Sequence, residues 1–323
     1  MDIVEGPFGL RFIKIDSSQI YLGIDKGAWV YASERPRHRV DLPAFMILES
    51  PISRSQFANI IGEDDDSDEL KDMVTHDDVE KICTILSEHF DDEVRRPSQA
   101  EWKAAESMIK LPCGWTELLA DEAIGNHRGA PLDGRPRIGE MIGPMADHRV
   151  SQSAHPSREG VYAQVATPGG RPLPKVGFRL VVSPKRQGEA PRVPDNANLA
   201  TNIRSELFWT TILGIIPSFP IPILRGFSSY AIDGWANLLF GGLCAGFVTG
   251  AFWRPKRATW GLDSEGKADH SRTHVGLGRL KSSNSLHTGP NMGPYGTCLL
   301  YTSDAADEGL GVDLGGRRII KKK

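Results

Sequence analysis

Arg95-Arg96-Pro97-Ser98-Gln99-Ala100-Glu101-Trp102 is the stretch that decides how the first half of the chain folds. Ser98 has the chemistry of a helix N-cap, and Glu101, three residues on, can bond back to the Ser98 amide, which makes a capping box. Pro97 cannot extend the helix backwards, so a helix is expected to start near Gln99. Trp102, Ala105 and Ile109 then share one face until Leu111-Pro112 stops the element.

Working outward, Leu10 to Gly23 reads as two short strands around the Asp16-Ser17-Ser18 turn. His38 to Leu42 and Phe45 to Leu48 read as two more, parted by Pro43. Ser53 to Ile61 has the pattern of a short helix, with Ser53 as N-cap and Gln56 closing the box. A further helix over about Asp77 to Phe90 carries Val79, Ile82, Cys83, Leu86 and Phe90 on one stripe. The acidic run Glu63 to Glu69 lacks the glycine and closing glutamate of a calcium loop and reads as solvated.

These pieces, in this order, resemble the formylglycine-generating enzyme family, the sulfatase-modifying-factor domain. Arg95 to Trp102 resembles its R-L-P-T-E-A-E-W signature, and Tyr21-Leu22-Gly23 stands where the family has M-G-S. Glu34 to Val40 is similar to E-x-P-x-H-x-V, Phe45-Met46-Ile47 to F-x-I, and Pro51 to Phe57 to V-T-x-x-Q-F. Val176-Gly177-Phe178-Arg179-Leu180-Val181 looks like the closing G-F-R strand. The likeness spans about residues 9–183 and implies an α+β, loop-rich, C-type-lectin-like domain. It places His38 in a structural strand and Cys83 on a core helix.

The chain departs from the family where its chemistry should lie. Gly114 to Asp121 is similar to G-N-V-W-E-W-x-x-D, keeping Glu117 and Asp121 but losing the second tryptophan, and His127 to Pro131 looks like an eroded R-G-G-S-W. The resemblance implies a pair of cysteine thiolates after that motif, soft ligands for Cu(I). No cysteine occurs between Arg128 and Gly177. His127, His148 and His155, with Asp133, Asp147 and Glu159, could in composition build another metal site, but their irregular spacing fits exposed loop residues better. Neither G-x-S-x-G nor a phosphate-binding G-x-x-x-x-G-K-[ST] is present.

Composition adds bounds. The chain has 323 residues and a formal net charge of -3, which gives no reason to expect nucleic acid. Cys83, Cys113, Cys244 and Cys298 lack C-x-x-C spacing, so neither a zinc ribbon nor a disulfide framework is indicated. The N-terminus carries no basic and apolar leader pattern, so a cleaved signal peptide is not expected.

After residue 183 the composition changes, and 184–206 reads as a polar linker. Leu207 to Leu224 is uncharged over 18 positions and Trp235 to Trp253 over 19, close to the roughly 20 a helix needs to cross a bilayer. Pro217, Pro220 and Pro222 leave the first as a kinked span or a re-entrant helix. Basic residues flank the pair at Lys185, Arg186, Arg192 and Arg204 and again at Arg254, Lys256 and Arg257, so both ends are expected to face the cytoplasm. Trp209 and Trp253 would mark the inner interface, and Tyr230 and Trp235 the outer. Gly242, Gly246 and Gly250 recur every four residues and would let another helix approach, from the first span or from another subunit. Residues 254–297 read as a disordered cytoplasmic tail. Residues 298–323 resemble a translated sequencing-library adapter and are set aside.

The expected protein is therefore an α+β domain over 1–183, tethered by a two-helix hairpin over 207–253 to the cytoplasmic face of a membrane. The expected function is a binding module without catalysis, cofactor or metal, whose groove is lined by Trp115, Glu117, His127 and Arg128. Its ligand would be a protein or a small molecule. The alternatives are a copper-dependent oxidase of substrate cysteines, for which copper would be the cofactor, and a membrane assembly factor working through the glycine-lined helix.

Overall fold

The computed structural model describes residues 2–26, 29–252 and 257–271. Its strands are β1 Ile3–Glu5, β2 Arg11–Ile15, β3 Ser18–Leu22, β4 His38–Leu42, β5 Phe45–Leu48, β6 Glu93–Arg95, β7 Thr116–Glu122, β8 His148–Ala154, β9 Tyr162–Pro168, β10 Val176–Phe178, β11 Val181–Ser183, β12 Thr259–Leu262 and β13 Ala268–Ser271. Three helices, α1 Arg54–Ile61, α2 His76–Leu86 and α3 Gln99–Ala105, lie among them. The strands form sheets in the orders β1-β2-β5-β11-β6, β10-β7-β8-β9 and β13-β12-β4-β3, so the domain is mixed α+β.

Alternation along the five-stranded sheet builds two cores. Phe12, Leu48, Leu180 and Val182 face one side, against Ile52 and the Val79, Ile82, Leu86 stripe of α2. Ile13, Ile47 and Val181 face the other, against Val40, Leu119 and Trp102 of α3. Each helix begins on a capping box: Ser53 with Gln56, Thr75 with Asp78, and Ser98 with Glu101. Cys83 lies in the first core, and burial pushes its thiol up to about 12. α2 ends at Leu86, short of the expected Phe90. Phe90 reaches the same core from the following turn, edge-on to Phe12 with centroids 5.6 Å apart.

The chain changes sheets at Arg179. β10 pairs in parallel with β7, and β11 pairs antiparallel with β5 and β6. The closing segment is thus two strands rather than the expected single one. The residue at the corner is fully buried and joins the two sheets through its guanidinium.

The stretch 184–206 corrects the linker expectation. Leu132 and Gly129 donate to the carbonyls of Pro191 and Val193 at 2.8 Å, and Val193 returns a bond to Ala130 at 2.9 Å. Val193 and Leu132 are fully buried in a third small core with Ala197. A polar composition concealed backbone pairing that needs no side-chain pattern.

Among the described residues, two helices are long and apolar enough to cross a membrane, Leu199–Leu224 and Ser229–Val248 within Ser229–Phe252. The first starts eight residues before the expected Leu207 and runs through a π turn, Thr211–Ile215, before Pro220 opens its last segment. The second helix packs on it where Gly242 meets Gly214. Trp253 and the side-chain surroundings of Gly250 lie outside the described residues.

The disordered-tail expectation also needs correction. Residues 259–271 form the β12–β13 hairpin, and β12 joins the domain beside β4, with Trp260 opposite His38. Trp260 and Leu262 also pack on the Leu132 and Val193 core, adding to the backbone pairing that holds this glycine-rich and polar segment. Residues 272–323, including those that resemble an adapter translation, lie outside the described residues.

Candidate functional site

Arg95 to Trp102 carries the local order from which the site is built. Arg95 donates to both oxygens of Glu101, at 2.7 and 2.8 Å, and Glu101 also accepts from the Ser98 amide at 2.8 Å. Burial opposes ionisation of Glu101, yet Arg95 and the Ser98 bond outweigh it and hold the carboxyl below its usual range. A guanidinium and a carboxylate matched two to two in a dry site make a rigid unit. It fixes the start of α3, and the Gln99 amide at that start donates to Asp121 Oδ2 at 2.7 Å.

Asp121 comes from β7 and also accepts from the Arg137 amide at 2.8 Å. Burial pushes its carboxyl up to about 6, against those two bonds. Beside it lies a small cleft of about 40 Å³ and mixed polarity, whose walls include His38, Gln99, Asp121, His127, Arg137 and Gln164 together with Leu22, Ile124 and Val150. A space of that size holds a few waters. It can take the tip of one polar group.

Two histidines form the far wall. Their rings meet edge to face with centroids 5.1 Å apart. His38 Nδ1 lies 3.2 Å from the Pro36 carbonyl, which can only accept, so His38 carries its proton there. Burial and then Arg137 push His38 down to about 4, with the Pro36 bond opposing them. Burial, His38 and Arg137 push His127 down to about 3. His127 Nδ1 is enclosed with no hydrogen-bond partner and sits against Gly23, where a Cβ would come within 3.0 Å of it. Both rings are neutral at pH 7.

This arrangement predicts a pH dependence. The ordinary histidine value is 6.5, so as pH falls from 6.5 towards 4 the unfolded chain takes up protons that folded His38 refuses, and stability falls. Asp121 acts in the opposite sense. Its folded carboxyl binds a proton up to about pH 6 against 3.8 when free, so its contribution is present at low pH and lost as pH rises through 6. His38→Gln is expected to lessen the fall in unfolding free energy between pH 6 and 5 by about 1.4 kcal/mol per pH unit, the value of one proton. Urea titrations of the full chain in detergent measure it, and an unchanged slope would mean that His38 is charged in the folded protein.

The structure separates the four residues expected to line one groove. His127 lines the cleft, and Arg128 stands next to it, half-buried, with its amide on Asn126 Oδ1 at 2.9 Å. Glu117 is fully buried on the other side of β7's register, accepting from Trp102 Nε1 at 3.1 Å and from Arg179 Nε at 2.5 Å. It is a core ion: on a regular strand it would share the face of Asp121, four residues on, and the register shift between Leu118 and Glu122 separates the two. Trp115 precedes β7 and packs near Gly177, 3.8 Å from where a Cβ would stand. Sequence reasoning missed Arg137 and Gln99 as cleft residues. Asp121 had been noted as a retained acid, and its position opposite the α3 cap was the available clue.

Among the described residues, no three His, Cys, Asp or Glu side chains converge as a metal site. Among the described residues, Cys83 is a protonated core thiol, Cys113 is a free thiol in the turn before β7, and Cys244 is a free thiol in the second apolar helix.

No family model matches the chain, and no curated protein matches it. Among solved structures it is similar to one described as PvdO from Pseudomonas aeruginosa, at 14% identity and a TM-score of 0.44, over 56% of this chain and 98% of that one. It is also similar to Treponema denticola variable protein 1, at 14% identity and a TM-score of 0.36, over 54% of this chain and 95% of that one. Neither likeness assigns a role to a residue of this chain, and the functional reading rests on the site itself.

Proposed function

We propose that this protein is a membrane-anchored, divergent domain of the formylglycine-generating-enzyme type, with a C-type-lectin-like core, that binds a partner and does not oxidise it. The observation that carries the binding reading is the cleft itself: neutral imidazoles, a carboxylate already spent on two amides, and room for one polar tip. Such a site recognises a protruding side chain at a protein surface better than it performs acid and base chemistry. That no cysteine lies between Arg128 and Gly177, and that Cys83 is protonated in the core, supports a role other than copper chemistry of this type.

Anchoring is supported by the two apolar helices, whose side chains such as Leu207 and Phe240 are more than 60% exposed. The chain leaves the domain at Leu199 and rejoins it at β12, which supports a hairpin with both ends on the domain's side. The basic flanks in the sequence support a cytoplasmic position for that side.

Two measurements test this reading. The full chain expressed with its helices is expected to resist alkaline carbonate extraction, and release into the supernatant would remove the anchor. Supplied with Cu(I), oxygen and a cysteine-containing peptide, the purified chain is expected to consume no oxygen beyond a peptide-free control. Peptide-dependent uptake would replace the binding reading by the oxidase.

A further inference from the structure

The connection between β7 and β8 carries an apolar stretch on the outside of the domain. In Ile138-Gly139-Glu140-Met141-Ile142-Gly143-Pro144-Met145, the side chains of Ile138, Ile142 and Met145 are 57%, 92% and 42% exposed. The stretch is nevertheless held in one shape. Glu122, 6% exposed at the end of β7, accepts from the successive amides of Gly139, Glu140 and Met141 at 2.8–2.9 Å. Glu140, the one charged residue of the eight, accepts from Arg137 Nε at 2.8 Å and pairs with Arg192, which turns its carboxylate back onto the domain. Apolar side chains fixed in this way in water have the form of a preorganised contact.

The place of the stretch in the fold decides what it faces. β12 arrives from the second apolar helix and pairs in parallel with β4, with Trp260 opposite His38. The His38 ring meets that of His127, in the connection after β7, with centroids 5.1 Å apart. On the other flank, the point where a Gly129 Cβ would stand is 3.1 Å from Asp195 Oδ1 and 3.6 Å from Glu140 Oε2. Asp195 lies just before the first apolar helix, which begins at Leu199. Both helices thus join the domain at the end from which the β7–β8 connection emerges.

We propose that Ile138, Ile142 and Met145 enter the membrane interface beside the hairpin, a third contact that fixes how the domain rests on the bilayer. The inference rests on the membrane-anchored reading above. Apolar side chains without a free charge seat at the boundary between headgroups and acyl chains. Backbone donors that leave water there must be bonded already, and Glu122 bonds three of them.

The test uses the full chain with Cys113→Ser, Cys244→Ser and Cys298→Ser, labelled with an environment-sensitive fluorophore at Ile142→Cys. Cys83, protonated in the core, takes no label. Nanodiscs are made from phosphatidylcholine and from phosphatidylcholine brominated high on its acyl chains. Burial by about 5–10 Å is expected to shift the emission to the blue and to let the bromines quench it about two-fold. The same label at Ser157→Cys, exposed beyond the other end of β8, is expected to keep its emission in both discs. Met145→Cys gives a second reading, so that one poorly folded variant does not decide the outcome.

Equal quenching at positions 142 and 157, whether absent or present at both, would overturn the contact. Blue-shifted emission at position 142 that the bromines leave unchanged would assign the surface to a protein and overturn the bilayer as its occupant. Co-elution with the discs is measured first. A chain that does not enter them overturns the anchor, and the contact with it, by a readout separate from the fluorescence.

Discussion

Arg179→Met is expected to lower the unfolding free energy by about 3–5 kcal/mol, the cost of leaving a buried charge without its partner. Arg179 and Glu117 are both fully buried. Besides its 2.5 Å bond to Glu117, Arg179 donates to the carbonyls of Leu48, Glu49 and Lys110 at 3.0–3.2 Å. Methionine fills the stem's volume but strands one carboxylate and three carbonyls. The double variant Glu117→Met with Arg179→Met removes both charges and is expected to recover part of the loss, because a buried pair need not be more stable than a well-packed apolar pair. Urea unfolding followed by tryptophan fluorescence measures both, with Trp102 as a reporter that bonds Glu117 directly. Equal losses in the single and double variants would show that the carbonyl contacts, and not the ion pair, hold the corner between the sheets.

That corner illustrates what the sequence could and could not disclose. Gly177-Phe178-Arg179 was legible as a closing strand, and Glu117 as a retained acid, but they are 62 positions apart and nothing local pairs them. A capped helix start is legible because its signal lies within four residues: Ser98 and Glu101 meet as their spacing requires, and Trp102 and Ala105 are buried as expected, but the helix ends at Ala105 rather than at Leu111, and Ile109 is buried beyond it. An acidic residue on a strand gives no such notice of which way it points. One position of register decides between cleft and core, and Glu117 and Asp121 fall on opposite sides of that decision, with a register shift between Leu118 and Glu122 intervening.

The second half was legible in its solvent regime and not in its contacts. An uncharged run of membrane length is a property of composition, so the apolar helices could be read directly. Pro191 to Val193 and Thr259 to Leu262 are held by backbone pairing with Gly129 to Leu132 and with β4, and such pairing asks little of the side chains. Segments of this kind look like linker and tail until their partner is known.

Gly242→Leu is expected to break the hairpin, whereas Gly241→Leu, one position away, is expected to be tolerated. A Cβ on Gly242 would fall on the Gly214 carbonyl oxygen, and one on Gly214 would lie 3.0 Å from the Gly242 oxygen, both against backbone that cannot rotate aside. Gly241 has nothing within 4 Å of its Cβ position. Gly246 is intermediate, 3.5 Å from the Thr210 Cα. Gly214 belongs to the π turn, which turns the first helix at the point of closest approach, while Trp235 Nε1 donates to Ser218 Oγ at 3.3 Å further along the seam. Overpacking of a close seam costs about 1–3 kcal/mol and more when backbone must move. The thermal midpoint of the full chain in detergent should therefore fall for Gly242→Leu, less for Gly246→Leu, and least for Gly241→Leu. The same series separates this seam from a contact between copies. If Gly242 instead joined two subunits, its leucine variant would dissociate an oligomer on size-exclusion chromatography and leave the midpoint of the isolated chain unchanged. Equal midpoints for Gly241→Leu and Gly242→Leu would remove the glycine face from the packing of the hairpin.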